Sequence, residues 1–379
     1  MTALWDDLVG HDAVIDQMRA AVRDQSSLAQ SWLITGPAGS GRSLVARAFA
    51  ADLLGAGADE DAIDRQVRSG THPDLTVLTT ERVLITIDEV RGLVDASYRS
   101  PVTAPWRIII IEDADRMVER TSNVLLKALE EPPARTIWVL CAPSEADVIP
   151  TIRSRVRTVR LGVPAVADIA AMLVERDGVD PVVAEQSARH AQSHIGMARR
   201  LATSQDARER RDKSLRHIVG IDLVSDAVFA AADIVALATD DAKAYTESRD
   251  EAERAEFLHQ LGLAPGEAIP PALRGQVKSL EENQKRRATR SLRDGIDRVL
   301  TDAESLYRDI LVLALGGNVE LTNAELRPEM EVWLTKHTAE DAIRILDAID
   351  VARHRIDRNV QPLLALEALF VVASGVVPA

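Results

Sequence analysis

A strand-like run, Ser31-Trp-Leu-Ile-Thr35, leads into Gly36-Pro37-Ala38-Gly39-Ser40-Gly41-Arg42-Ser43, and a helical pattern follows over 43–54. A glycine loop between a strand and a helix commits this part of the chain to an α/β sheet. The spacing is that of G-x-x-x-x-G-K-[ST] in every position but the lysine. Glycines let backbone N–H groups face a polyphosphate, and the helix N-terminus favours its negative charge. Gly36 to Leu44 are therefore candidate ligands for ATP or ADP, with the Ser43 hydroxyl placed to reach Mg²⁺. The plain alternative is a glycine turn with no ligand.

Arg42 stands where the lysine would be. Lysine offers the β/γ-phosphates a compact charge, whereas arginine offers a broad planar fork. The chain has 6 Lys and 39 Arg, so arginine is its default basic residue. Hydrolysis at this loop is expected to be absent or weak, and nucleotide binding stays open. A second acidic site follows in Ile108-Ile-Ile-Ile-Glu112-Asp113-Ala-Asp115. A buried strand ending in acids suits one carboxylate for Mg²⁺ and the next for orienting water. Here the order is Glu-Asp, so the metal-facing arm is longer and the water-facing arm shorter.

Composition removes several other functions. One cysteine, Cys141, allows no internal disulfide and no multi-cysteine zinc or iron–sulfur site, and it fits a reducing compartment. The formal net charge of −14 argues against a chain that coats nucleic acid unaided. The start of the chain is acidic and lacks a signal-peptide pattern, and the apolar stretch 362–379 carries the charge of Glu367 and, in Leu363, Leu366 and Phe370, the spacing of a buried helix. A cytoplasmic location, away from membranes, is expected.

Strands are predicted at 31–35, 75–78, 83–87, 107–111, 136–141 and 156–161, and helices at 12–23, 43–54, 87–97 and 121–131. The four consecutive isoleucines suit a strand buried on both faces of a parallel sheet. Beyond Pro164 strand signals stop. The expected division is an α/β domain over 1–161, a small helical domain over 162–215 and a larger helical domain over 216–379. In the last, Leu292, Ile296, Val299, Ala303, Leu306, Ile310 and Leu313 mark one face of a long helix, suited to bundle packing or a coiled-coil seam. The stretch 240–276, charged and then rich in Pro and Gly, is predicted as a loop or loosely ordered insertion.

Further blocks give the pattern a family. They are Trp5-Asp-Asp-Leu-Val-Gly-His11, Gly70-Thr-His-Pro-Asp74, Asn123-Val-Leu-Leu-Lys-Ala-Leu-Glu-Glu-Pro-Pro133 and Pro150-Thr-Ile-Arg-Ser-Arg-Val156. With the glycine loop, they make the chain resemble the delta-prime family of bacterial DNA polymerase III clamp-loader subunits, which are AAA+ proteins. The resemblance spans most of 1–200 and is weak in the last third.

It implies a RecA-like AAA+ domain, a helical lid and a helical collar in a hetero-oligomeric ring. The implied partners are motor subunits and a delta subunit, with the sliding clamp and primer-template DNA reached through the complex. Ser154 and Arg155 match the family's Ser-Arg-Cys motif, whose arginine enters the neighbouring subunit's ATP site; Val156 replaces the cysteine. Arg199 in Gly196-Met-Ala-Arg199 matches the lid's sensor 2. The sensor 1 position near Ala142-Pro143 has no hydroxyl, and the interval 52–71 lacks the cysteines of the family's zinc module, so no zinc is expected. The implied role is a stator that supplies Arg155 in trans. The alternative is a self-sufficient AAA+ ATPase in which Arg42 serves.

Overall fold

A computed structural model describes residues 2–375 apart from 25–27, 38, 56–58, 80–83, 193, 261–269 and 271–273. The chain forms two compact units, Met1–Thr203 and Ser204–Ala379.

The first unit is built on a five-stranded sheet with the order β2-β3-β4-β1-β5. In chain order its elements are α1 (Asp12–Arg23), β1 (Ser31–Thr35), α2 (Arg42–Leu54), α3 (Glu60–Ser69), β2 (Leu75–Leu78), α4 (Ile87–Ser97) and β3 (Arg107–Ile111). There follow α5 (Glu119–Glu130), β4 (Thr136–Ala142), α6 (Pro150–Arg153), β5 (Arg157–Arg160), α7 (Val166–Asp177), α8 (Pro181–His190) and α9 (Ile195–Thr203). All pairings are parallel. Every residue of β1, β3 and β4 is buried, as a central strand covered on both faces requires.

Alternation along these strands sorts the side chains into two cores. Trp32, Ile34, Ile108, Ile110, Val139 and Cys141 join the core that holds α2, while Leu33, Ile109, Ile111, Trp138 and Leu140 join the one that holds α4 and α5. The isoleucine run thus fills both layers, which a helix-period pattern would not do. The edge strand β5 exposes Arg157 and Arg160, charges that discourage further strand pairing.

The strand expected at 83–87 is not formed among its described residues. Ile87 instead opens α4, and Thr86 caps that helix in a box with Glu89. Residue 83 lies outside the described residues. The apolar run there reads as a strand by periodicity, but the Thr-x-x-Glu capping chemistry decides its end.

The second unit is all-helical: α10 (Gln205–Val219), α11 (Val224–Gln260), α12 (Arg274–Ala314), α13 (Arg327–Leu334), α14 (Ala339–Asp357) and α15 (Pro362–Ala373). Helix α10 runs across the expected boundary at 215/216. Buried Arg211 on α10 donates to Asp302 on α12 at 3.1 Å and to the Asn323 side chain at 2.6 Å. Asn323 in turn donates from its backbone N–H to buried Asp309 at 2.7 Å. This paired polar chain binds α10 into the second unit, since each buried charge needs its partner.

The face foreseen on the long helix is the inner face of α12. Ile296, Ala303, Leu306 and Ile310 are buried, and Leu292, Val299 and Leu313 pack beside them against α11, α14 and α15 residues of one core. The seam is therefore intramolecular bundle packing.

The loop expected over 240–276 is corrected by the structure. Residues 240–260 continue α11, and 274–276 already belong to α12; 261–269 and 271–273 lie outside the described residues. The charges that suggested a loop pair across the two helices. Arg254 meets Glu281 at 2.8 Å, and Arg287 meets Asp250 at 2.9 Å and also Glu253. Charge density here is a solvated helix pair, which hydrophobic periodicity does not detect. Among the described residues, no helix is long and apolar enough to cross a membrane.

Candidate functional site

The C-terminal ends of β1, β3 and β4 are where an open parallel sheet binds ligands. The glycine loop leaves β1 there. Gly39 (φ 76°) and Gly41 (φ 93°) take left-handed conformations that favour glycine, and Gly41 caps α2. The Gly36 N–H donates to Pro143 O at 3.1 Å, tying the loop to the end of β4. His11, from the Trp5–His11 block, places Nε2 2.9 Å from Ser40 O. Ala38 lies outside the described residues.

The loop is closely packed by its own unit. A Cβ on Gly39 would lie 2.2 Å from the His194 ring, and one on Gly41 would lie 2.8 Å from Leu8. The Ile195 N–H reaches Gly39 O at 3.4 Å, and the Met197 N–H donates to His194 Nδ1 at 3.2 Å. The start of α9 is thus seated on the loop. Ser40 Oγ and Arg42 Nη1 are buried and make no hydrogen bond among the described residues. Ser43 is half-buried at the first turn of α2, and Leu44 packs toward the core around α2.

This seating makes Gly39→Ala a sharp test. The substitution adds left-handed strain and a collision with His194, together destabilising the first unit by about 1–3 kcal/mol. Urea unfolding should show the loss. His194→Ala in the same chain should restore the part due to collision and leave the backbone strain.

The acids do not all face the loop. Glu112 Oε1 accepts from Arg47 Nε at 3.1 Å and Nη2 at 2.8 Å, and Oε2 accepts from Thr79 Oγ1 at 2.8 Å. Arg47 lies on α2, one turn beyond Ser43. Asp113 lies 3.9 Å from Arg116. Asp115 lies within the electrostatic reach of Arg42. Burial pushes its carboxyl above the usual range, with Asp113 adding to the rise and Arg116 and Arg42 opposing it. Buried Cys141 holds Sγ 3.9 Å from Arg42 O, and burial pushes its thiol up, so it stays protonated.

A Mg²⁺ ion at Glu112 would have to share the carboxylate with the Arg47 guanidinium, which already supplies a positive charge there. The two orphaned donors, Ser40 Oγ and Arg42 Nη1, are compatible with an anion. Arg47, Thr79 and His194 were not visible as site residues in the sequence. Arg47 sits at a helical offset outside the loop motif, and the other two reach the site only through the fold.

The remaining candidates lie away from the loop's contacts. Arg199 donates to Asp177 at 2.5 Å, at the end of α7. Ser154 and Arg155 follow α6, whose Pro150 occupies the first turn. Arg155 Nη1 donates to Thr151 O at 2.6 Å and Ser154 Oγ at 3.0 Å, and Nη2 pairs with Glu130 at 2.5 Å. The Arg155 side chain keeps 32% of its surface exposed. The structure therefore brings together the loop, Glu112, Asp113 and Asp115, and holds Ser154 and Arg155 as a separate surface group with α5.

Residues 10–164 match a family model described as DNA polymerase III, delta subunit. DNA polymerase III subunit delta' of Pseudomonas aeruginosa is 33% identical over 161 residues, covering 40% of this chain and 45% of that protein. The delta' subunit of Bacillus subtilis is 27% identical over 198 residues, covering 51% and 60%. The gamma/tau subunit of Mycobacterium tuberculosis is 26% identical over 258 residues, covering 62% and 44%. The chain thus spans less than two thirds of the length of these relatives. A gamma subunit-related protein of Thermotoga maritima overlays with a TM-score of 0.45 at 15% identity, covering 96% of this chain and 98% of that one.

Proposed function

We propose that this chain, whose AAA+ region over residues 10–164 belongs with the DNA polymerase III delta-prime subunits, is a stator of a clamp-loader ring. On this reading it hydrolyses little or no ATP itself. It lends Arg155 to the ATP site of a neighbouring motor subunit with a lysine-bearing loop, and the complex loads a sliding clamp on primer-template DNA.

The observation that carries the reading is the engagement of Glu112. Its carboxylate is engaged by Arg47 and Thr79, so the acid that would hold a catalytic metal already shares its charge with a guanidinium of its own subunit. Arg155, by contrast, is partly exposed and carries a charge suited to a transferring phosphoryl group. Nucleotide at the chain's own loop belongs to the same proposal. ATP or ADP phosphates would meet the N–H groups of 41–43, Ser40 Oγ and Arg42 Nη1, as a static ligand. No hydrolytic step is assigned to Ser43, Glu112, Asp113 or Arg199.

The test is ATP turnover by the full chain alone and after reconstitution with a gamma/tau-type motor subunit. The isolated chain is expected to show no Mg²⁺-dependent turnover above background, and its addition should raise hydrolysis by the motor subunit. Robust Mg²⁺-dependent turnover by the chain alone, abolished by Ser43→Ala, would establish the self-sufficient ATPase instead.

A further inference from the structure

We infer that Glu130 is a positioning residue that restrains Arg155 in the undocked chain, so that the finger must leave Glu130 to act. The inference rests on the stator reading of Arg155.

Both terminal nitrogens of Arg155 are occupied by acceptors of its own subunit. Nη2 pairs with the Glu130 carboxylate at 2.5 Å, while Nη1 donates to Thr151 O at 2.6 Å and Ser154 Oγ at 3.0 Å. A guanidinium that clasps a phosphoryl group in another subunit uses the same fork of N–H donors. Nη2 keeps a second N–H, so the conflict is one of charge and reach: a side chain drawn back onto the Glu130 carboxylate and Thr151 O does not at the same time extend into another subunit's site. The folded-back arrangement is therefore a resting state, distinct from an extended one.

The placement of Glu130 supports this division. It is the last residue of α5, and Arg155 follows the short helix α6, so two elements must pack in register for the pair to form. Leu125, Ala128 and Leu129 on α5 and Ile152 on α6 are buried in one core, which fixes that register. The pair itself lies at the surface, with side-chain exposures of 32% for Arg155 and 46% for Glu130. A pair so exposed is weak, because water screens it and holding both side chains opposes it. It is strong enough to bias the finger and weak enough to break on docking. A buried pair in the same place would lock the arginine permanently.

Thr151 O and Ser154 Oγ play a different part. They hold Nη1 close to the α6 end and would still accept from it with Nη2 free. Only the Glu130 carboxylate carries a full negative charge that competes with a phosphoryl group for the fork. Removing that charge should release the finger without unseating its base.

The test is a double-mutant cycle in the reconstituted complex of the full chain with its motor subunit, reading motor ATP hydrolysis and complex assembly. Glu130→Gln keeps the shape and removes the charge. It should raise hydrolysis by the complex about two- to five-fold, the range set by an exposed pair worth up to about 1 kcal/mol, with assembly unchanged. In an Arg155→Ala background the same substitution should have no effect. A merely structural role for Glu130 would act equally in both backgrounds, and that outcome overturns the inference. Unchanged or reduced hydrolysis with Glu130→Gln also overturns it, a reduction assigning Glu130 to orienting the finger in its active pose. If Arg155→Ala alone leaves hydrolysis at the parent level, the stator reading fails first, and the restraint falls with it.

Discussion

Arg155→Ala is expected to lower ATP hydrolysis by the reconstituted complex by about 10³-fold, the lower end of the range for arginines supplied in trans. Ring assembly should be intact. The reason lies in what Arg155 touches. Among the described residues its guanidinium has Thr151 O, Ser154 Oγ and Glu130 as polar partners, all on or near the surface. Its named partners are surface groups that water can reach, so its removal strands no buried charge. Arg155→Lys should rescue hydrolysis poorly, because a single ammonium cannot reproduce the planar fork. Co-sedimentation or gel filtration checks assembly, and steady-state ATPase checks the finger. Parent-level hydrolysis in the alanine variant would refute the assignment.

The largest expected stability effect belongs to Asp74, in the Gly70–Asp74 block. Its side chain has no exposed surface, and it organises the turn that feeds β3. Oδ1 accepts from the Val102 N–H at 2.7 Å, and Oδ2 accepts from the N–H groups of Thr103 at 2.7 Å and Ala104 at 2.9 Å. Thr103 Oγ1 adds a bond at 3.0 Å, and Arg107 Nη2 lies 3.3 Å from Oδ1. Asp74→Ala would take the acceptor from three backbone donors and the counter-charge from the nearly buried Arg107, which would keep only the Arg99 and Ser100 carbonyls among the described residues, destabilising the first unit by about 3–5 kcal/mol.

The same cage gives a pH signature. Burial alone would raise the Asp74 carboxyl, but the bonds from Val102, Thr103 and Ala104 outweigh it and hold the group below the usual carboxylate range. A folded value below the unfolded one, about 3.9 for aspartate, stabilises the fold above that value. The contribution is lost as pH falls through the folded value. Urea midpoints between pH 7 and pH 3 should fall steeply in the parent chain. In Asp74→Asn they should start lower and fall less, since the amide does not titrate. An equally steep acid limb in the variant would count against this role.

How much of this was readable beforehand differs by element. The isoleucine run and the loop named a parallel sheet and the edge where the glycine loop leaves it, because alternation and glycine spacing are local properties of the chain. The heptad-like face of α12 was readable for the same reason. The helical continuation over 240–260 was not, because Asp250, Glu253 and Arg254 are explained only by their partners on α12. The capping box at Thr86 was present as Thr-x-x-Glu but hidden behind a short apolar run that fits either helix or strand.

The candidate site divides along the same line. By itself the sequence determined the phosphate-loop spacing, the Arg42 substitution, the Glu-Asp order and the Ser-Arg pair, since each is a matter of residue type at a fixed offset. Tertiary structure alone decided what those residues touch. Arg47 lies 65 positions from Glu112, and His194 lies 155 from Gly39, yet each pair meets because β1, β3 and the start of α9 end at one edge of the unit. Charge neutralisation at Glu112 and restraint of Arg155 by Glu130 act over a few ångströms. No spacing rule along the chain reports such distances, and only the folded packing of α2, α5 and α6 sets them.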